Sequence, residues 1–164
     1  MEKQLARFGL VAFLFFDMLE EVYNVFDRAI KLDSDQAFVF SVDNQVKRLI
    51  IDLNTKDQLG QFGIDALGDS LGEYAPFTVE QRSALGLQTD HIDFKVTGDY
   101  WASWTVTVDK SAITILTDPQ LFSELVNDLG FAPEHVGLTE ENLNKLTAAM
   151  LIKYQQYARK KMSL

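Results

Sequence analysis

Between Ile92 and Ile115 the apolar side chains fall at alternate positions, a period that constrains the fold more than any other feature of the chain. Ile92, Phe94 and Val96 form one run, Trp104, Val106 and Val108 a second, and Ile113 and Ile115 a third, with residues 109–111 (DKS) as a hairpin turn. Successive side chains of a strand point to opposite faces, so runs of this kind bury one face of a sheet. The pattern predicts a small antiparallel sheet over residues 91–117. Asp118 and Pro119 close it, because proline cannot donate to a ladder.

Helical periodicity flanks the sheet. Over residues 1–32, Leu5, Phe8, Ala12, Phe15, Leu19, Val22 and Phe26 recur every three or four positions. Leu10, Val11, Phe13 and Leu14 widen that stripe around most of the wheel, which predicts a helix buried on more than one face. It serves either as a central core helix or as one shared with another subunit. A second helix is predicted over 139–161, with Thr139 as N-cap, Glu140 and Glu141 in the first turn, and Arg159, Lys160 and Lys161 in the last. Leu143, Leu146, Met150, Tyr154 and Tyr157 give it an apolar face. Residues 37–42 (AFVFSV) read as a short strand, 44–53 as helix or strand, and 120–129 as a short helix ending at Gly130. Four glycines fall in residues 60–74, so 60–90 reads as an extended glycine-rich surface loop with a possible short element near Phe77 to Arg82. The expected fold class is α+β: a long N-terminal helix and a C-terminal helix packed on a small antiparallel sheet, in one domain of 164 residues.

Composition narrows the chemistry. A chain of this length buries roughly 70% of its unfolded surface, enough for a core without staples. It has no cysteine, which excludes disulfides, thiolate metal sites and cysteine nucleophiles, and only two histidines, His91 and His135. The formal charge is −9, which disfavours sequence-specific nucleic-acid binding. The longest apolar run, residues 9–16, is too short to span a bilayer and lacks a cleavage site, so an intracellular, soluble chain with no membrane partner is expected.

Among polar groups, Asp65, Asp69 and Glu73 are the candidates for acid/base or hard-cation chemistry in a small hydrolase, but they miss the calcium-loop spacing. Gly60, Gly63, Gly68 and Gly72 miss the phosphate-loop spacings. No catalytic, metal or cofactor residue is therefore assigned. The stretch 97–104 (TGDYWASW) places Tyr100 and Trp101 after a tight turn, where they can serve as interface anchors on a rim or as core and half-buried residues. Residues 111–144 hold six acidic side chains and no lysine or arginine, whereas 151–164 hold four basic ones and no acid. Such polarity suits head-to-tail packing of identical subunits, which closes into a ring if the rotation allows.

Residues 51–59 (IDLNTKDQL), 63–65 (GID), 71–78 (LGEYAPFT), 86–91 (GLQTDH), the 97–103 turn (TGDYWAS) and the 137–143 helix entry (GLTEENL) together resemble small virion proteins of tailed bacteriophages, particularly phages of Bacteroidetes-type hosts. The resemblance spans about residues 50–160. It implies a non-enzymatic tail-completion or neck protein, or a minor tail protein. Such a protein is assembled as a homo-oligomeric ring at the head–tail junction, beside portal, neck or tail proteins, with the virion as its location after assembly in the host cytoplasm. No catalytic residue or cofactor is carried over. Within this reading Phe62, Ile64, Tyr74 and Phe77 in the 60–90 loop, with Tyr100 and Trp101, are the expected interface residues, the loop ordering on assembly. The alternative is a soluble adaptor or binding module of phage or host.

Overall fold

The computed structural model describes residues 33–109 and 112–162, together with 20, 22–25 and 27–29. The described residues among 20–29 are helical. The rest of the helix expected over 1–32 lies outside the described residues.

Two aspartates set the first helices. The Asp33 carboxylate accepts from the backbone N–H groups of Asp35 and Gln36 at 2.9 and 3.1 Å, starting α1 (Ser34–Ser41). The strand expected over 37–42 is therefore a helix. Its β-formers Val39 and Phe40 stay exposed, while Ala37 and Val42 turn inward, so capping and burial outweigh local strand propensity. Asp43 repeats the device for α2 (Asn44–Asp52), accepting from Gln45 and Val46 at 2.9 and 3.0 Å. Its carboxyl sits below the ordinary range, first because Lys153 donates to it and then through the Val46 N–H. The 44–53 stretch is helical, with Val46 and Ile50 buried.

This helix runs on through Leu53–Phe62 in wider π-type turns and ends at Gly63, whose φ of 62° is left-handed. A Cβ on Gly63 would lie 2.5 Å from the His91 ring, so the position needs glycine for its backbone angle and for space. The glycine-rich stretch is accordingly not one long loop. A tight turn carries an isolated bridge between Ile64 and Ser70. A helix, α3 (Pro76–Ala84), then occupies the site of the short element expected there.

Among the described residues the sheet has two strands rather than three. β1 (Thr105–Asp109) pairs antiparallel with β2 (Ala112–Leu116), Thr105 opposite Leu116 and Asp109 opposite Ala112. Residues 92–96 do not join it. Phe94 has a φ of 56°, which breaks an extended run, and the alternation is lost: Asp93 is buried between half-buried Ile92 and Phe94, while Val96 is 62% exposed. The reason is a buried arginine partner for Asp93, described below. A single turn, α4 (Asp99–Ala102), leads into β1. After the hairpin, Asp118 caps α5 (Pro119–Ser123), which continues in wider turns over Glu124–Asp128. A short 3-10 turn, Pro133–His135, precedes α6 (Glu140–Met162).

Two apolar clusters hold these elements. Val42, Val46, Ile50, Leu53, Val106 and Leu146 join α2, β1 and α6. Leu59, Tyr100 and Trp104 form the second, against Phe94, Leu121 and Val136. Of the face expected on α6, Leu146 and Tyr157 are buried, whereas Leu143 and Tyr154 remain exposed. The α+β class holds, with helix predominating. No described helix is long and apolar enough to cross a membrane.

Candidate interaction surface and the polar clamps behind it

Arg82 organises the segment after Gly63. Its guanidinium is buried and each of its three nitrogens donates. Nε donates to the Gln88 carbonyl and Nη1 to the Lys95 carbonyl, each at 2.7 Å, while Nη2 meets both Asp93 oxygens at 2.9 and 3.0 Å. Asp93 also accepts from the Tyr74 hydroxyl (2.9 Å), Gln88 Nε2 (2.8 Å) and the Lys95 N–H (2.7 Å). The guanidinium carbon lies 4.2 Å from the Tyr74 ring centroid. Burial pushes the Tyr74 hydroxyl up to about 12, so it is a standing donor. A buried ion pair persists only when its remaining valences are met, and here three loop stretches meet them. The fold thus orders residues 76–95 within one chain.

A second clamp is built from amides. In the wide turns of α2, Asn54 donates to the His135 carbonyl at 3.1 Å and accepts from the Gly137 N–H at 2.8 Å. Gln58 donates to the Gly137 carbonyl at 2.9 Å and accepts from the Thr139 N–H at 2.8 Å. Asn142 joins them, donating to Gln58 Oε1 and to the Leu53 carbonyl, each at 3.1 Å. This fixes where α6 starts.

The two clamps are linked. His91 Nε2 lies 3.1 Å from the carbonyls of both Leu59 and Gly60. The Trp101 indole N–H donates to the Asp93 carbonyl at 2.9 Å. Gly60 permits this contact, since a Cβ there would come within 2.8 Å of the Trp101 ring.

His135 is buried between the stacked Phe122 ring and Phe94. Its Nδ1 lies 2.7 Å from the Ala132 carbonyl, which makes Nδ1 the protonated nitrogen, so Nε2 accepts from the Tyr100 hydroxyl at 2.6 Å. Burial holds the imidazole below its ordinary pKa and pushes Tyr100 up to about 12. The expected outcome is a neutral ring at pH 6.5, where about half of an unperturbed histidine is charged. The unfolded chain then binds more protons than the folded one, so the His135 contribution to stability falls as pH drops below about 6.5. Nitrogen-15 shifts of the imidazole check the first statement and urea midpoints at pH 7.5 and 5.5 the second. A ring already half protonated at pH 6.5 would contradict both.

The expected interface residues divide into two groups. Phe62 and Phe77 are 54% and 70% exposed. Ile64 is half-buried in its bridge to Ser70. Tyr74 and Trp101 are half-buried and tied to Asp93, with the Lys95 ammonium 4.9 Å from the Trp101 ring centroid. Tyr100 is buried, 6% exposed, and its ring stands edge-on to Trp104. Tyr100 is therefore a core residue rather than a rim anchor, because its hydroxyl has an internal acceptor.

Of the three carboxylates considered for catalysis, Asp65 is buried and accepts from the N–H groups of Leu67 and Asp69 at 2.8 and 2.9 Å. Its role is to shape the turn. Asp69 and Glu73 are exposed. Among the described residues no group of three or more histidine, aspartate or glutamate side chains is placed to hold a metal ion.

Above the second cluster lies an open cavity of about 630 Å³. Phe94, Tyr100 and Leu121 form its apolar wall, and Glu73, Asp99 and Glu124 stand at its edge, with no lysine, arginine or histidine among its described lining residues. Asp99 accepts from the Thr97 hydroxyl and Glu124 from Gln120. No match to a family model, a curated protein or a solved structure is found for the chain.

Proposed function

We propose that this chain is a non-enzymatic structural subunit of a tailed-phage virion, a tail-completion or neck protein that forms a ring at the head–tail junction. The observation that carries the reading is where the stretches resembling such proteins lie in the fold. They are scattered from residue 51 to residue 143, yet all of them but 63–65 are joined by the polar clamps. Residues 51–59 hold 137–143 through Asn54, Gln58 and Asn142. Residues 71–78 are tied through Tyr74 to Asp93, and 86–91 through Gln88 to the same carboxylate. The 97–103 turn reaches the backbone carbonyl of Asp93 through the Trp101 indole N–H. The resemblance therefore follows one folded body rather than unconnected surface words. That body presents exposed Phe62, Phe77, Leu85 and Leu129, apolar surface suited to neighbouring subunits. Asp65, the buried member of the acidic group, takes two backbone N–H groups on Oδ1, which favours a structural role over hydrolysis.

Quantitative mass spectrometry of purified particles tests the proposal. A low, fixed copy number relative to the major capsid protein is the expected result. Absence from particles, with abundant protein in infected cells, would overturn it and favour the adaptor reading.

A further inference from the structure

We infer that the acid-edged cavity receives Arg159 and Lys160 from the last turn of α6 of a second copy, in a head-to-tail contact. The inference deepens the ring reading above and rests on it.

The cavity selects its occupant by charge and by wall chemistry. Glu73, Asp99 and Glu124 face a space with no basic lining group, on a chain whose formal charge is −9. Glu73 has no hydrogen-bond or ion-pair partner among the described residues, so its charge is available to a newcomer. The apolar wall suits the methylene stems of arginine and lysine, and the carboxylates at the edge suit their heads. The basic cluster that matches is on this same chain. Arg159 and Lys160 are exposed, project from the end of a regular helix, and form no ion pair with a described acidic side chain.

One chain cannot fill its own cavity this way. Tyr100 in the wall is bonded to His135, just before the start of α6. Arg159 lies twenty residues beyond Thr139 along a straight run, roughly 30 Å away at about 1.5 Å per residue. The contact therefore joins different copies through different surfaces. A heterologous contact of this kind propagates until the rotation closes it into a ring.

Two variants test the inference. Glu73→Gln/Glu124→Gln removes two of the three negative charges at the cavity and leaves the basic turn intact. Arg159→Gln/Lys160→Gln does the reverse. All four side chains are exposed, so unchanged circular dichroism is expected for both. In low salt, sedimentation velocity and native mass spectrometry should show wild-type chains associating. Each variant alone should associate roughly tenfold more weakly or less. An equimolar mixture should give a complex of two 18.6 kDa chains that grows no further, because only one productive contact exists per pair. A wild-type chain that stays monomeric, or a mixture that forms no such pair, would overturn the inference. Monomers that instead bind n-hexylammonium in the cavity would overturn it in favour of a small organic cation. Particles containing the protein at fixed copy number, combined with a failed mixture, would remove this contact and leave the virion reading standing. A capped pair with no protein in particles would do the opposite.

Discussion

Arg82→Ala should cost about 3–5 kcal/mol of folding free energy, the usual consequence of removing one partner from a buried ion pair. The variant leaves Asp93 charged and buried, with only the Tyr74 hydroxyl, Gln88 Nε2 and the Lys95 N–H to solvate it. It also strips the Gln88 and Lys95 carbonyls of their 2.7 Å donors. Arg82→Lys should recover little, since one ammonium cannot meet two carbonyls and a carboxylate from one position. The double variant Arg82→Met/Asp93→Leu should be less damaged than Arg82→Ala, because no unpaired charge remains inside. Against a total stability of about 5–15 kcal/mol for an ordinary domain, such a loss is severe. Urea unfolding of the singles and the double decides the matter. An Arg82→Ala variant within about 1 kcal/mol of wild type would mean that residues 76–95 are held by something other than this pair.

Those residues also show why the sequence was legible in part. The hairpin was readable because Val106, Val108, Ile113 and Ile115 obey the period of two that a half-buried ladder requires, and they do pack on the first cluster. The same reading fails one run earlier. Ile92, Phe94 and Val96 alternate equally well, but Asp93 has a buried arginine eleven residues away in sequence, and that pairing draws a charged residue inside between two half-buried apolar ones. Local periodicity carries no signal of a distant partner. At 37–42 a strand-forming composition lost to an aspartate cap and to packing against α6, where Phe40 meets Tyr157 with ring centroids 5.0 Å apart. Of the interface residues, Phe62 and Phe77 were legible because exposed aromatics in a glycine-rich stretch have few internal uses. Tyr100 was not, since the acceptor that buries it is His135, thirty-five positions on. The amide clamp did leave a trace. Val46 and Ile50 recur every four residues on the buried side of α2, and Asn54 and Gln58 continue that step. Two amides on the inward line of a helix require partners inside.

That line gives the second large effect. Gln58 is 1% exposed and serves three neighbours at once, so Gln58→Leu preserves volume while removing every polar contact. The Gly137 carbonyl and the Thr139 N–H are then buried without partners. Asn142 Nδ2 keeps only its bond to the Leu53 carbonyl. Each unsatisfied buried group costs about 1–3 kcal/mol, so a total near 3 kcal/mol is expected. Asn54 would still hold the His135 carbonyl and the Gly137 N–H, which keeps the loop in place rather than releasing it. The damage should therefore fall on the start of α6, where Thr139 Oγ1 accepts from the Asn142 N–H at 3.3 Å. Hydrogen exchange at residues 139–143 should accelerate more than exchange in β1 and β2. The pair Gln58→Leu and Asn142→Leu should be less destabilising together than the sum of the singles, because each removes the partner whose loss makes the other costly. Strict additivity would show that Gln58 and Asn142 act separately and that α6 is positioned by its packing on α1 and α2 alone.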